Sequence, residues 1–174
     1  MSDLPPAETT NIATDGSQTI PWSRAHAALV AAQPDPEILW IIGTLRPDGR
    51  PHAAGIGASW FDGDVFITSN PNARRARNLA GNSNATLSVR LPGIDLTLEG
   101  TVVRKTDPRT LEEVAALNRA AGWPAEVDGD AFTAPWNAPS AGSPPWYVYR
   151  FTCQTVFGVA TEEPWGATRW RFAR

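Results

Sequence analysis

Three arginines, Arg74, Arg75 and Arg77, stand within four residues of one another. Just ahead of them come Thr68 and Ser69, then the turn signal Ser69-Asn70-Pro71-Asn72. Forked guanidinium donors suit phosphate oxygens. Residues 64–68 alternate as a half-buried strand does, and residues 73–80 predict a short helix stopped by Gly81-Asn82. A helix N-terminus favours anions through its dipole and its unpaired N–H groups. Cations there oppose the dipole, so a negative group is expected to join them. Asn78, one turn further on, is a second polar group of the same helix. A solvated basic helix face is the simpler alternative. The hydroxyl-ended strand ahead of it favours a phosphate site.

The rest of the composition makes such a site local. The 174 residues carry a net charge of −3, which argues against general nucleic-acid binding. Lys105 is the only lysine. Cys153 is the one cysteine, so no internal disulfide forms, and its apolar surroundings predict a small buried hydrophobe. No apolar run reaches transmembrane length, and no signal-peptide core opens the chain, so a cytoplasmic, membrane-free protein is expected.

The elements that must position the arginines follow in order. Residues 1–20 are polar and predict a flexible tail, ahead of one domain over 21–174. A helix is expected over 24–32, a strand over 37–45, a hairpin turn at 46–50 and a returning strand over 51–60, rich in Ala and Gly. Asp62-Gly63 turns into the strand before the arginines. Further strands are expected over 85–91 and 94–104, the latter bulged at Gly100. A helix capped by Asp107, with Pro108 at its first position, runs to Ala121. Residues 123–146 fit no period yet hold Trp123, Phe132, Trp136 and Trp146, and predict a long loop, either anchored on the body or acting as a lid and pocket wall. Residues 146–152 and 154–160 predict two more strands, with a kink at Gly158. Together these make a mainly β, α+β architecture: a six- to seven-stranded antiparallel split barrel with flanking helices.

With T-L-R-P-D-G-R-P-H at 44–52, F-I-T-S at 66–69, A-R-R-A-R-N-L at 73–79 and G-A-T-R-W-R-F at 166–172, the chain resembles the pyridoxamine 5′-phosphate oxidase-like family of split barrels. The resemblance spans about 21–172. It implies a homodimer that holds FMN or the deazaflavin coenzyme F-420 between subunits, and a redox activity on a small organic molecule. By the same resemblance Arg75 meets the cofactor phosphate, flanked by Arg74 and Arg77. Thr68 and Ser69 supply hydroxyls, and Asn78 steadies the loop. His52, Ala54 and Gly55 run beside the ring. Trp170 and Arg171 are either a wall and clamp offered to the partner chain or a packed final strand with an exposed charge.

The Arg-x-His ending that the true oxidases use on pyridoxine phosphate is absent, so that substrate is not expected. No carboxylate is placed to orient His52, and no catalytic residue or metal ligand set is assigned. Two other functions stay open on the same fold: a non-catalytic flavin binder, and a haem or tetrapyrrole handler. For haem the available ligands would be His26, His52, Cys153, Tyr147 and Tyr149. Arg46 and Arg50 on the first hairpin would suit the acidic tail of F-420.

Overall fold

The computed structural model describes residues 5–33, 35, 37–135 and 142–173. Its elements in chain order are β1 (Glu8–Asn11), α1 (Trp22–Ala31), β2 (Trp40–Leu45), β3 (Pro51–Ile56), β4 (Ala58–Phe61), β5 (Asp64–Ser69) and α2 (Arg74–Gly81). Then come β6 (Asn84–Leu91), β7 (Ile94–Lys105), α3 (Pro108–Ala120), β8 (Glu126–Asp128), β9 (Ala131–Thr133), β10 (Tyr147–Ala160) and β11 (Ala167–Arg171).

The architecture is the expected one: mostly antiparallel β, with helices at the flanks. The sheet path runs β1-β11-β10-β7-β6-β2-β3, and β5 pairs with both β10 and β4. The expected strand over 51–60 divides at Gly57. Its first half bonds β2 and its second half bonds β5, so one stretch of chain changes partners and brings the sheet round on itself. The turn between β4 and β5 uses Asp62 at φ 50° and Gly63 at φ 79°, the left-handed pair that a tight hairpin needs.

β10 is one strand where two were expected. It pairs with β7 along its length, with β5 over its first half and with β11 over its second. The register slips between Cys153 and Thr155, so the bulge lies on β10 and not at Gly100 or Gly158. Gly158 instead admits a ring: a Cβ there would stand 2.6 Å from Trp170. Alternation along β6 sends Ala85, Leu87, Val89 and Leu91 into the barrel, where they join Ile42, Leu98, Phe151 and Val156. Burying each such large side chain contributes about 1.5–3 kcal/mol.

The N-terminal segment corrects the expectation of a flexible tail. β1 pairs with β11 from Glu8↔Arg171 to Asn11↔Thr168, and Glu8 receives both Arg169 and Arg171. Further on, the Ile20 N–H donates to the Thr168 hydroxyl at 2.8 Å. Polar composition hid this strand, because an edge strand needs backbone partners more than apolar side chains. α1 lies over the same region, with Trp22 edge-on to Trp170 and Phe172 at 5.5 and 4.9 Å.

Residues 123–146 also hold more order than their composition suggests. β8 and β9 form a hairpin, and Phe132 bridges to Trp146. Phe132 and Trp146 are buried with Phe66, Leu111, Val114 and Val148 in a second core between the outer face of β5–β10 and α3. These rings are anchors. Trp136 lies outside the described residues. α3 begins as expected, with the Thr110 N–H donating to Asp107 at 3.0 Å. No helix of the described residues is long and apolar enough to cross a membrane.

Candidate functional site

The turn after β5 is held by Asn70. Its Oδ1 accepts from the Asn72 N–H at 2.8 Å, its carbonyl accepts from the Ala73 N–H at 3.0 Å, and its amide donates to the Ser143 carbonyl at 2.8 Å. The chain then enters α2 with Ala73 as N-cap, so no side chain caps the helix, and no acid stands in its first turn. Arg74, Arg75 and Arg77 follow at once. This terminus is unsatisfied in both hydrogen bonding and charge.

Arg74 and Arg77 are exposed, while Arg75 is half-buried. None of the three pairs with a carboxylate among the described residues. Burial pushes the Arg75 guanidinium down from its ordinary value, an effect that the neighbouring Tyr149 hydroxyl partly opposes. Its Nε is cut off from water and has no acceptor among the described residues. A buried cation without a counter-charge is costly, and an anion at this place removes the cost. Burial likewise pushes the Tyr149 hydroxyl up. A cavity of about 340 Å³ opens beside α2, lined by Arg77, Leu79, Arg104, Tyr147 and Tyr149. The Arg104 guanidinium lies 3.4 Å from the Tyr147 ring centre and pairs with Asp130 at 2.8 Å.

Asn78 is buried and donates to the Thr44 hydroxyl at 2.9 Å. Thr44 stands opposite His52 in the β2–β3 pair. Arg75 and Asn78, three residues apart, share a face of α2. One connected set therefore runs Asn78, Thr44, His52, with Arg75 on the same face of α2 as Asn78. The His52 Nδ1 is buried and has no hydrogen-bond partner among the described residues. β3 ends the sheet path, so its far edge offers free backbone groups.

The structure divides the remaining expected residues. His52 and Ala54 share the inner side of β3, while Gly55 alternates outward under Leu39. Strand alternation thus sets Gly55 on the opposite face of β3 from His52 and Ala54. Ser69 is buried on the barrel side. Thr68 faces the other way, into a cavity against α3, so the two hydroxyls do not act together through one face. Trp170 is fully buried in the core of its own chain, where Trp22 and Gly158 enclose it. No ring surface remains for a cofactor, and of the two readings of the final strand the packed one holds. Arg171 is its exposed charge, paired with Glu8.

Thr44 has no assigned role in the sequence reading, and Tyr147 and Tyr149 stand there only as available haem ligands. Thr44 lies inside the T-L-R-P motif, and Tyr147 and Tyr149 alternate onto one strand face; these were the signals available. Among the described residues no group of three or more His, Cys, Asp or Glu side chains is placed to hold a metal.

An antiparallel barrel whose 51–60 stretch changes partners at Gly57, with a helix bearing arginines at its flank, defines the class: a split-barrel protein. The family model described as pyridoxamine 5′-phosphate oxidase matches residues 25–159, and the chain belongs to that family. Solved structures share the fold. An F420 reductase is 20% identical, with 75% of this chain and 94% of that one covered and a TM-score of 0.53. A putative pyridoxamine 5′-phosphate oxidase from Listeria innocua is 12% identical, with coverage of 77% and 94% and a TM-score of 0.54. A heme binding protein from Mycobacterium smegmatis is 19% identical, with coverage of 80% and 54% and a TM-score of 0.54. No curated protein matches the chain.

Proposed function

We propose that this protein binds FMN or coenzyme F-420 with its phosphate at the start of α2, and passes hydride to or from a small organic molecule other than pyridoxine phosphate. The observation that carries this is Arg75: half-buried, with an orphaned Nε and no carboxylate partner. A phosphate supplies both the missing acceptors and the missing charge. The bound ring system would supply the hydride chemistry. The chain's own part is to bind and orient. Arg75 holds the anion, and Arg74 and Arg77 add positive potential around it. The edge of β3 gives a flat ring backbone to lie against, and Ala54 leaves it room.

The same reading makes the protein a homodimer. Leu39, Ile41 and Leu45 are 64%, 41% and 39% exposed. Ile41 and Leu45 face outward from β2, across from Gly55 and Pro51. A second copy would cover this small-residue face and complete a groove beside β3.

The test is an absorption titration of the purified protein with FMN, F-420 and haemin. Saturable binding of FMN or F-420, lost in Arg75→Ala, supports the proposal. Binding of haemin alone overturns it. A stable complex that transfers no hydride to any acceptor would leave a flavin binder and remove the enzyme.

A further inference from the structure

Both tyrosines of the chain, Tyr147 and Tyr149, stand two residues apart on β10 and so share one face of it. Arg104 is opposite Tyr149 on β7. Its guanidinium lies 3.4 Å from the centre of the Tyr147 ring and is held by Asp130. α2 closes the other side. One flank of that helix sends Asn78 to Thr44 on β2, while Ala76 and Ala80, nearly half a turn away from Asn78, look toward β7 and β10. A cavity of about 340 Å³ lies on this second flank, with the exposed Arg77 among its lining.

Charge and lining select what fits there. Arg77 forms no ion pair among the described residues, and Arg104 forms one, with an Asp130 that does not line the cavity. Two guanidinium groups against one carboxylate leave a single positive charge to be met. The Tyr149 hydroxyl adds a donor. It makes no hydrogen bond among the described residues, yet water still reaches it. Burial pushes this hydroxyl up from its ordinary value, so it keeps its proton at neutral pH. The other walls are apolar: the two phenol rings and Val102 on the barrel side, and Leu79 with the two alanines on α2.

From this we infer a second binding site, for a small monoanion with a flat apolar body, a carboxylate carried on a ring. The carboxylate takes donors from Arg77, Arg104 and the Tyr149 hydroxyl. The ring packs among Tyr147, Leu79 and Val102. The volume stands at the low end of the ~300–1,000 Å³ of ligand pockets, which limits the body to one or two rings. The cofactor reading uses the start of α2 and the edge of β3, on the Asn78 side. The site does not depend on it.

Benzoate is the probe, and benzamide is its uncharged counterpart of the same shape. With isotope-labelled tyrosine the protein gives ring signals from Tyr147 and Tyr149 alone, assigned by their loss in Tyr147→Phe and Tyr149→Phe. The expected result is a saturable shift of both by benzoate, with a dissociation constant of about 1 mM or tighter, as for other fragment-sized ligands. Benzamide should bind about tenfold more weakly, and so should benzoate to Arg77→Gln and to Tyr149→Phe. Ala80 is exposed, so the helix accepts a ring there, and Ala80→Phe should fill the cavity and abolish benzoate binding. Should that variant unfold, Tyr149→Phe and benzamide still decide. Unmoved tyrosine signals, equal affinity for benzamide, or parent-like binding to folded Ala80→Phe overturns the site. Full displacement of benzoate by saturating FMN would put both ligands in one seat and overturns a separate site. A parent protein that binds benzoate but neither FMN nor F-420 refutes the cofactor reading alone.

Discussion

The Asn78 amide reaches the Thr44 hydroxyl at 2.9 Å, and both residues are 3% exposed. This bond joins the arginine-bearing helix to the strand that carries the first hairpin, far away in sequence. Thr44 also lies 3.5 Å from the His52 carbonyl, at the long limit of a hydrogen bond. Asn78→Ala leaves a buried hydroxyl with one poor partner and should cost about 1–3 kcal/mol. Urea unfolding measures it. Thr44→Ala combined with Asn78→Ala should cost less than the two single losses added, because they share one interaction.

Arg75 is expected to divide stability from binding. Arg75→Ala should weaken FMN or F-420 by about 1.5–3 kcal/mol, the range for a hydrogen bond to a charged group. Without cofactor the same variant should melt no lower than the parent, since an uncompensated buried charge is removed. Equal cofactor affinity in parent and variant would refute the phosphate assignment.

The outer face of β2 predicts assembly. The parent should scatter light as a dimer at low micromolar concentration, and Ile41→Arg should shift it to monomer. A parent that is monomeric while fully loaded with cofactor contradicts the shared-groove arrangement.

Trp146 and Phe132 are 1% and 0% exposed. Trp146→Ala should cost about 3–5 kcal/mol of stability. If the segment were instead a mobile lid, the melting temperature would hold while turnover fell.

Asp107 gives a pH dependence. The bond from Thr110, then the contact with Lys105, hold its carboxyl well below the usual carboxylate range. A lowered folded value means that its contribution is full above the ordinary Asp pKa and is lost as pH falls through the folded value. Melting curves of the parent and Asp107→Ala should therefore differ at pH 7 and converge only in strong acid. A gap that stays constant down to pH 1 would show that the carboxylate charge plays no part.

Local signals carried much of this protein. Asp62-Gly63 announced its hairpin, Asp107-Pro108 its helix, and Ala85 to Leu91 its barrel face, because turn chemistry, capping and alternation act over a few neighbouring residues. The arginine cluster after a hydroxyl-ended strand was legible for the same reason. Tertiary structure decided what depends on distant partners. β1 exists because the edge of β11 accepts it, and no property of residues 8–11 alone demands that. Thr68 parts from Ser69, and Gly55 from Ala54, because the sheet assigns opposite faces to successive residues. Trp170 is core because Gly158 and Trp22, both remote in sequence, leave a slot that its ring fills. The same tryptophan in sequence fitted a pocket wall equally well, and packing alone distinguishes the two.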